Sequence, residues 1–122
     1  MKTLSFVAIM LCAQLFGQQL FAQNATSQTI KVWGNCGMCK KRIEKSAKSA
    51  GALSADWNAD KLQLLVSYDE KETSSLKIQQ AIAKVGYDTQ DVIADDKAFD
   101  KLSGCCKYER KPAIPSVINS NR

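Results

Sequence analysis

The chain of 122 residues contains no histidine. That removes Ser-His-Asp and Cys-His catalysis, imidazole acid–base chemistry and every metal site that needs a ring nitrogen. A soft-metal site in this protein has to be built from sulfur. Proline is nearly as scarce: Pro112 and Pro115 are the only two, both close to the C-terminus. Beyond residue 22 no run approaches the roughly 20 apolar residues of a membrane span. Nor is there a phosphate-binding glycine loop, a nucleophile–base pair or a convergent carboxylate pair. Asp91, Asp95 and Asp96 fall in a turn-rich stretch where solvation accounts for them. These absences point away from an enzyme. The formal net charge of +5 is compatible with nucleic acid or an acidic protein as partner.

What is present begins with Lys2, an apolar run from Leu4 to Phe16, and Gly17 to Ala22. This charge–apolar–small layout is that of a cleavable secretory signal. Leu11 stands before Cys12 where a lipid-attachment site calls for a small residue, so residues 1–22 read as a signal peptide rather than an anchor. Cleavage after Ala22 leaves a soluble, secreted or periplasmic protein with four of the five cysteines. What remains is enough for one small domain with a modest core. Export also argues against nucleic acid as the partner.

Gln23 to Gln28 is polar and reads as a loose leader. From Thr29 the pattern alternates, with Ile30 and Val32 on one face, as in a strand. Gly34, Asn35 and Gly37 surround Cys36 in a loop. From Lys40 the period becomes helical, with Ile43, Ala47 and Ala50 on one stripe and Gly51 at the end. Leu53, Ala55 and Trp57 alternate again, as do Leu62, Leu64, Val66 and Tyr68, with the polar turn Asn58 to Lys61 between them. Thr73 or Ser74 caps a second helix whose stripe is Ile78, Ala81, Ile82 and Val85, and Gly86 ends it. Tyr87 to Ile93 reads as a polar edge strand. The order strand, helix, strand, strand, helix, strand predicts an α+β, ferredoxin-like βαββαβ sandwich: a four-stranded antiparallel sheet with both helices on one face. Asp95 to Leu102 adds a short helix, with Phe99 and Leu102 on one side, ahead of Cys105 and Cys106.

The pair Cys36 and Cys39 sits in "IKVWGNCGMCKKRIEK", between the first strand and the first helix. The free amides and positive dipole end of a helix start favour thiolate over thiol. Lys40, Lys41 and Arg42 add positive charge, and Gly34 and Gly37 let the loop curl so that both sulfurs face one point. Thiolates select soft ions such as Cu(I) or Zn(II). A redox disulfide and a plain structural bridge are the alternatives. Thioredoxin-like redox proteins also carry C-x-x-C at a helix start, but they need a parallel core and a cis-proline facing the pair. Here the hairpin order is wrong and the first proline is Pro112. The RNA-binding version of this fold needs aromatics on its central strand, where this chain has "LQLLVSY". Trp33 and Trp57 read as packing residues. Lys40, Lys41, Lys45 and Lys48 read as a solvated helix face, with a docking patch for an acidic partner as the sharper alternative.

The βαββαβ order with "CGMC" at the end of strand one resembles the heavy-metal-associated domain. That family includes copper chaperones, periplasmic mercury-binding proteins and the N-terminal modules of metal-pumping ATPases. The likeness runs from about Thr29 to Ile93, within a domain set at residues 28–94. It implies that Cys36 and Cys39 are the paired ligands. It also implies that Tyr87, in "VGYDT", packs beside the site as the family's Gly-aromatic loop does. The implied cargo is a soft ion, Cu(I) first and Hg(II), Zn(II) or Cd(II) next, exchanged with a metal-transporting membrane protein or another donor or acceptor by a monomer. One departure stands out: Trp33-Gly34-Asn35-Cys36 lacks the methionine common in that loop, and Met38 lies inside the C-x-x-C instead.

Residues 95–110 form an extension outside the family pattern, followed by a tail at 111–122. Neighbouring side chains on an extended chain point opposite ways, and a bridge between adjacent cysteines is strained. Cys105 and Cys106 are therefore not expected to be joined to each other. Two readings remain: a bridge to Cys36 or Cys39, or a fold-back that presents one or both sulfurs as further metal ligands.

Overall fold

The computed structural model describes residues 25–112. The expected signal peptide at residues 1–22, with Cys12, and the expected tail beyond Pro112 lie outside them.

The first strand, β1, covers Ala25–Lys31. Ala25 to Gln28 is thus paired strand, not part of a leader. These polar residues are held because β3, Gln63–Asp69, pairs with them antiparallel from Ala25↔Asp69 to Lys31↔Gln63. Helix α1 covers Gly37–Ser49, and β2, Ser54–Asn58, pairs with the other edge of β3. Helix α2 covers Ser75–Lys84, capped by the Ser74 hydroxyl, which accepts from the Lys77 amide at 3.2 Å. The short helix α3, Asp96–Asp100, and a 3-10 turn, Gly104–Cys106, complete the described chain.

Among the described residues the sheet has three strands in the order β1-β3-β2, where four were expected. The expected edge strand from Tyr87 to Ile93 is reduced to a single bridge, Val32↔Thr89. Trp33 donates to the Asp88 carbonyl at 2.9 Å and Gln90 to the Lys31 carbonyl at 2.8 Å, and there the ladder stops. Its continuation is lost to local hydrogen bonds. The Thr89 amide donates to the Val92 carbonyl at 2.7 Å, the Thr89 hydroxyl accepts from the Val92 amide, and the Asp88 carboxylate accepts from the Ala94 amide. Side chains of this kind offer the backbone an alternative to the sheet, and here they win.

One face of the sheet carries the core. Ile30, Leu64, Val66, Tyr68 and Trp57 pack with Ile43 and Ala47 of α1 and with Ile78 and Ile82 of α2. The opposite face leaves Leu65 exposed. Helix α2 departs from its expected stripe: Val85 is exposed, whereas Gln79 is buried and accepts from the Asp91 amide and the Thr89 hydroxyl. Gly51 and Gly86 end the two long helices with φ of 107° and 108°, the left-handed conformation that suits glycine. No helix among the described residues is long and apolar enough to cross a membrane.

The extension is fastened to the domain at several points. Leu102 and Tyr108 join the core, Tyr108 stacks on Tyr87 with ring centroids 5.7 Å apart, and Phe99 meets Tyr108 edge-on. The Tyr108 hydroxyl accepts from the Asp88 amide and donates to the Gly86 carbonyl, both at 2.8 Å. Lys111, assigned by sequence to the tail, donates its amide to the Asp88 carboxylate at 3.1 Å.

Candidate metal centre

Cys36 is the N-cap of α1 and Cys39 lies in its first turn, so the strand-to-helix switch at Gly34 to Gly37 brings both sulfurs to the same end of the molecule. Their Sγ atoms stand 4.0 Å apart. Gly34 makes this loop possible by contact: a Cβ there would lie 2.9 Å from the Trp57 ring, which is buried and donates to the Val32 carbonyl. Gly37 meets nothing and has no positive φ, so the curl does not require a glycine at that position.

The fold-back of the extension supplies a third sulfur. Cys36, Cys39 and Cys106 have their Sγ atoms all within 4.8 Å of one another. Cys39 and Cys106 are fully buried and Cys36 is partly exposed. The 3-10 turn separates the two neighbouring cysteines: Cys106 turns inward, while Cys105 is exposed, 3.9 Å from the Cys106 sulfur and 3.7 Å from Met38 Sδ. Cys36, Cys39, Cys105 and Cys106 are all free thiols, with no bridge from the extension to the pair. Asn35 locks the extension over the loop, its amide group donating to the carbonyls of Cys105 and Lys107, each at 3.4 Å, and the Cys36 thiol donates to the Cys105 carbonyl at 3.3 Å.

The electrostatics divide the two buried sulfurs. Burial alone would raise the Cys39 thiol, but the backbone of Cys36 and Asn35 and the side chains of Tyr87 and Cys106 outweigh it, and its pKa falls below the ordinary value. Cys106 is pushed up to about 12, first by burial and then by Cys39. Negative charge at the centre is therefore favoured on Cys39 over Cys106. Tyr87 is buried and its hydroxyl has no conventional partner among the described residues. Burial and the Cys39 sulfur drive its pKa upward, so it stays a neutral phenol that can donate toward charge on that sulfur. A buried donor of this sort fits an anionic sulfur centre.

Of the remaining residues singled out by sequence, Met38 is half exposed at the rim. The Lys40 ammonium is occupied within the molecule by Asp56 at 2.6 Å, Glu44 at 2.7 Å and the Trp57 carbonyl. Lys41 faces solvent. Asp91 and Asp96 do more than sit in solvent: Asp91 accepts from Gln79 and Asp96 from Arg110, at 2.9 and 2.6 Å.

Sequence reasoning missed Asp88 and Arg110. Asp88 is buried, and Arg110 reaches it through Nε at 3.1 Å and Nη2 at 2.9 Å. The available signal was an acidic residue between Tyr87 and Thr89 in a stretch read as strand, where a lone carboxylate needs a cation.

Comparison with known proteins places this centre in context. A profile described as "Heavy-metal-associated domain" matches residues 35–88. Copper chaperone CopZ of Staphylococcus haemolyticus (strain JCSC1435) is 36% identical over 66 residues, spanning 52% of this chain and 97% of the chaperone. Among solved structures, oxidized MerP from Ralstonia metallidurans CH34 superposes with a TM-score of 0.51 at 26% identity, over 54% of this chain and 94% of that one. The N-terminal domain of a potential copper-translocating P-type ATPase from Bacillus subtilis, in the Cu(I)-loaded state, gives 0.50 at 28% identity over 58% and 98%. The profile covers Cys36, Cys39 and Tyr87 and stops at residue 88, short of Cys106.

Proposed function

The chain belongs to the heavy-metal-associated domain family, and on that premise we propose that it is an exported, non-enzymatic carrier of one Cu(I) ion, held as cargo by Cys36, Cys39 and Cys106. The observation that carries this reading is the trio of sulfurs within 4.8 Å of one another. An ion bonded equally to three thiolates at about 2.3 Å would hold them about 4 Å apart, and Cys36 and Cys39 already stand at 4.0 Å. The donor set has neither imidazole nor carboxylate, which favours a soft ion. Structural Zn(II) prefers four ligands, so three sulfurs favour Cu(I), with Hg(II) as the second ion of matching softness and Cd(II) after it. The likeness to a copper chaperone and to a copper-translocating ATPase domain supports a metal-transporting membrane protein as donor or acceptor. Cys36 is the partly exposed member of the trio, so the centre opens to solvent on its side. Export rests on the charge–apolar–small layout of residues 1–22.

Anaerobic Cu(I) titration of the reduced protein tests this reading. One tight equivalent is expected for the native chain, lost in a Cys36→Ser/Cys39→Ser variant that keeps its circular dichroism. Undiminished affinity in the variant overturns it. Catalysed insulin reduction, lost on changing either cysteine, would establish the redox reading instead.

A further inference from the structure

Beside the trio lies a second arrangement of sulfur. Cys105 Sγ is 3.7 Å from Met38 Sδ and 3.9 Å from Cys106 Sγ. Met38 is 49% exposed and Cys105 is exposed, so this outer pair meets solvent where Cys39 and Cys106 do not. The two residues come from opposite sides of the centre, one from the first turn of α1 and one from the 3-10 turn of the extension. Two sulfurs that share a soft ion at about 2.3 Å from each stand no more than about 4.6 Å apart. Both outer spacings meet that limit. A thiol and a thioether are soft donors, and the thioether binds without losing a proton.

We propose that Met38 and Cys105 form a second, transient Cu(I) site through which cargo enters and leaves the inner trio. The inference rests on the carrier reading above. On the way out, the copper–sulfur bond to Cys106 breaks as one to Cys105 forms, and the bonds to Cys36 and Cys39 break as Met38 and thiolates of an acceptor replace them. The proton given up by the Cys105 thiol is taken by the Cys106 thiolate, and the copper stays Cu(I). Met38 holds the ion on the outer side while Cys105 carries it, leaving open positions for thiolates of an acceptor. The inner site then governs retention, and the outer pair governs the rate of exchange.

The test separates rate from affinity. Native protein and the Met38→Leu/Cys105→Ser variant are loaded with one Cu(I) and mixed with excess bathocuproine disulfonate in a stopped-flow instrument. Equilibrium competition with the same chelator is measured alongside. Release from the variant is expected to slow by about tenfold, with equilibrium affinity unchanged within about twofold. The single variants serve as a check: each should slow release by less than the pair. Unchanged release rates overturn the outer site and leave the carrier reading intact. A large fall in affinity also overturns it, because Cys105 would then be a resident ligand. A native protein that binds no Cu(I) removes both readings together.

Discussion

Arg110 grips Asp88 with two guanidinium nitrogens, Nε at 3.1 Å and Nη2 at 2.9 Å, and so ties the end of the extension to the last residue that the family profile covers. The carboxylate also accepts from the amides of Ala94 and Lys111, and Arg110 reaches on to Asp96 and the Ala94 carbonyl. The chain between the two halves of this clasp carries Cys106 into the centre.

Arg110→Ala leaves the Asp88 carboxylate buried with amides alone to answer it. Burial by itself would raise the Asp88 pKa, but hydrogen bonds from Arg110, Ala94 and Lys111 overcome this and hold it below the usual carboxylate value. A depressed folded-state pKa means that the unfolded chain binds the proton more readily. The contribution is therefore complete above the ordinary carboxylate pKa near about 4 and is lost as pH falls through the lower folded value. Urea denaturation should show a loss of about 1.5 to 3 kcal/mol in the Arg110→Ala variant at neutral pH, the range for hydrogen bonds to a charged group. Its stability should also depend less on pH in the acid range than that of the native protein. Matching acid profiles would show that Arg110 is not what lowers Asp88.

The two glycines flanking Cys36 should respond differently to alanine. Gly34→Ala drives a methyl group into the Trp57 ring and should cost about 1 to 3 kcal/mol. Gly37→Ala enters open space in the first turn of α1 and should be neutral or stabilising by up to about 1 kcal/mol. Thermal melts of the two variants settle this; equal losses would mean that loop flexibility, not contact with Trp57, explains both.

Export predicts a mature chain that begins at Gln23. Intact-mass measurement of protein recovered from its native host should give the mass of residues 23–122. A mass that includes Met1 to Ala22 contradicts the signal-peptide reading, and so does a membrane-anchored form.

Much of the fold was legible in local periodicity. Leu64, Val66 and Tyr68 alternate into the core, and Ile43 with Ala47 and Ile78 with Ile82 mark the inward faces of the helices. The C-x-x-C spacing at a helix start located Cys36 and Cys39 for the same reason, since both lie on one short stretch. What was not legible depends on distant partners. Ala25 to Gln28 has no apolar alternation and is a strand only because β3 extends to meet it. Tyr87 to Ile93 resembles a strand, but its ladder ends where Asp88 and Thr89 turn their side chains on nearby backbone. Which of Cys105 and Cys106 faces inward depends on one short 3-10 turn, and the pairing of Asp88 with Arg110 joins two ordinary charges far apart in sequence.

X-ray absorption of the Cu(I)-loaded protein at the copper edge measures the centre most directly. The account predicts three sulfur neighbours at about 2.3 Å in the native chain and two in Cys106→Ser, with faster loss of copper to a chelator from that variant. Two sulfur neighbours in both proteins, with equal retention, would contradict it and leave Cys36 and Cys39 as the whole of the site.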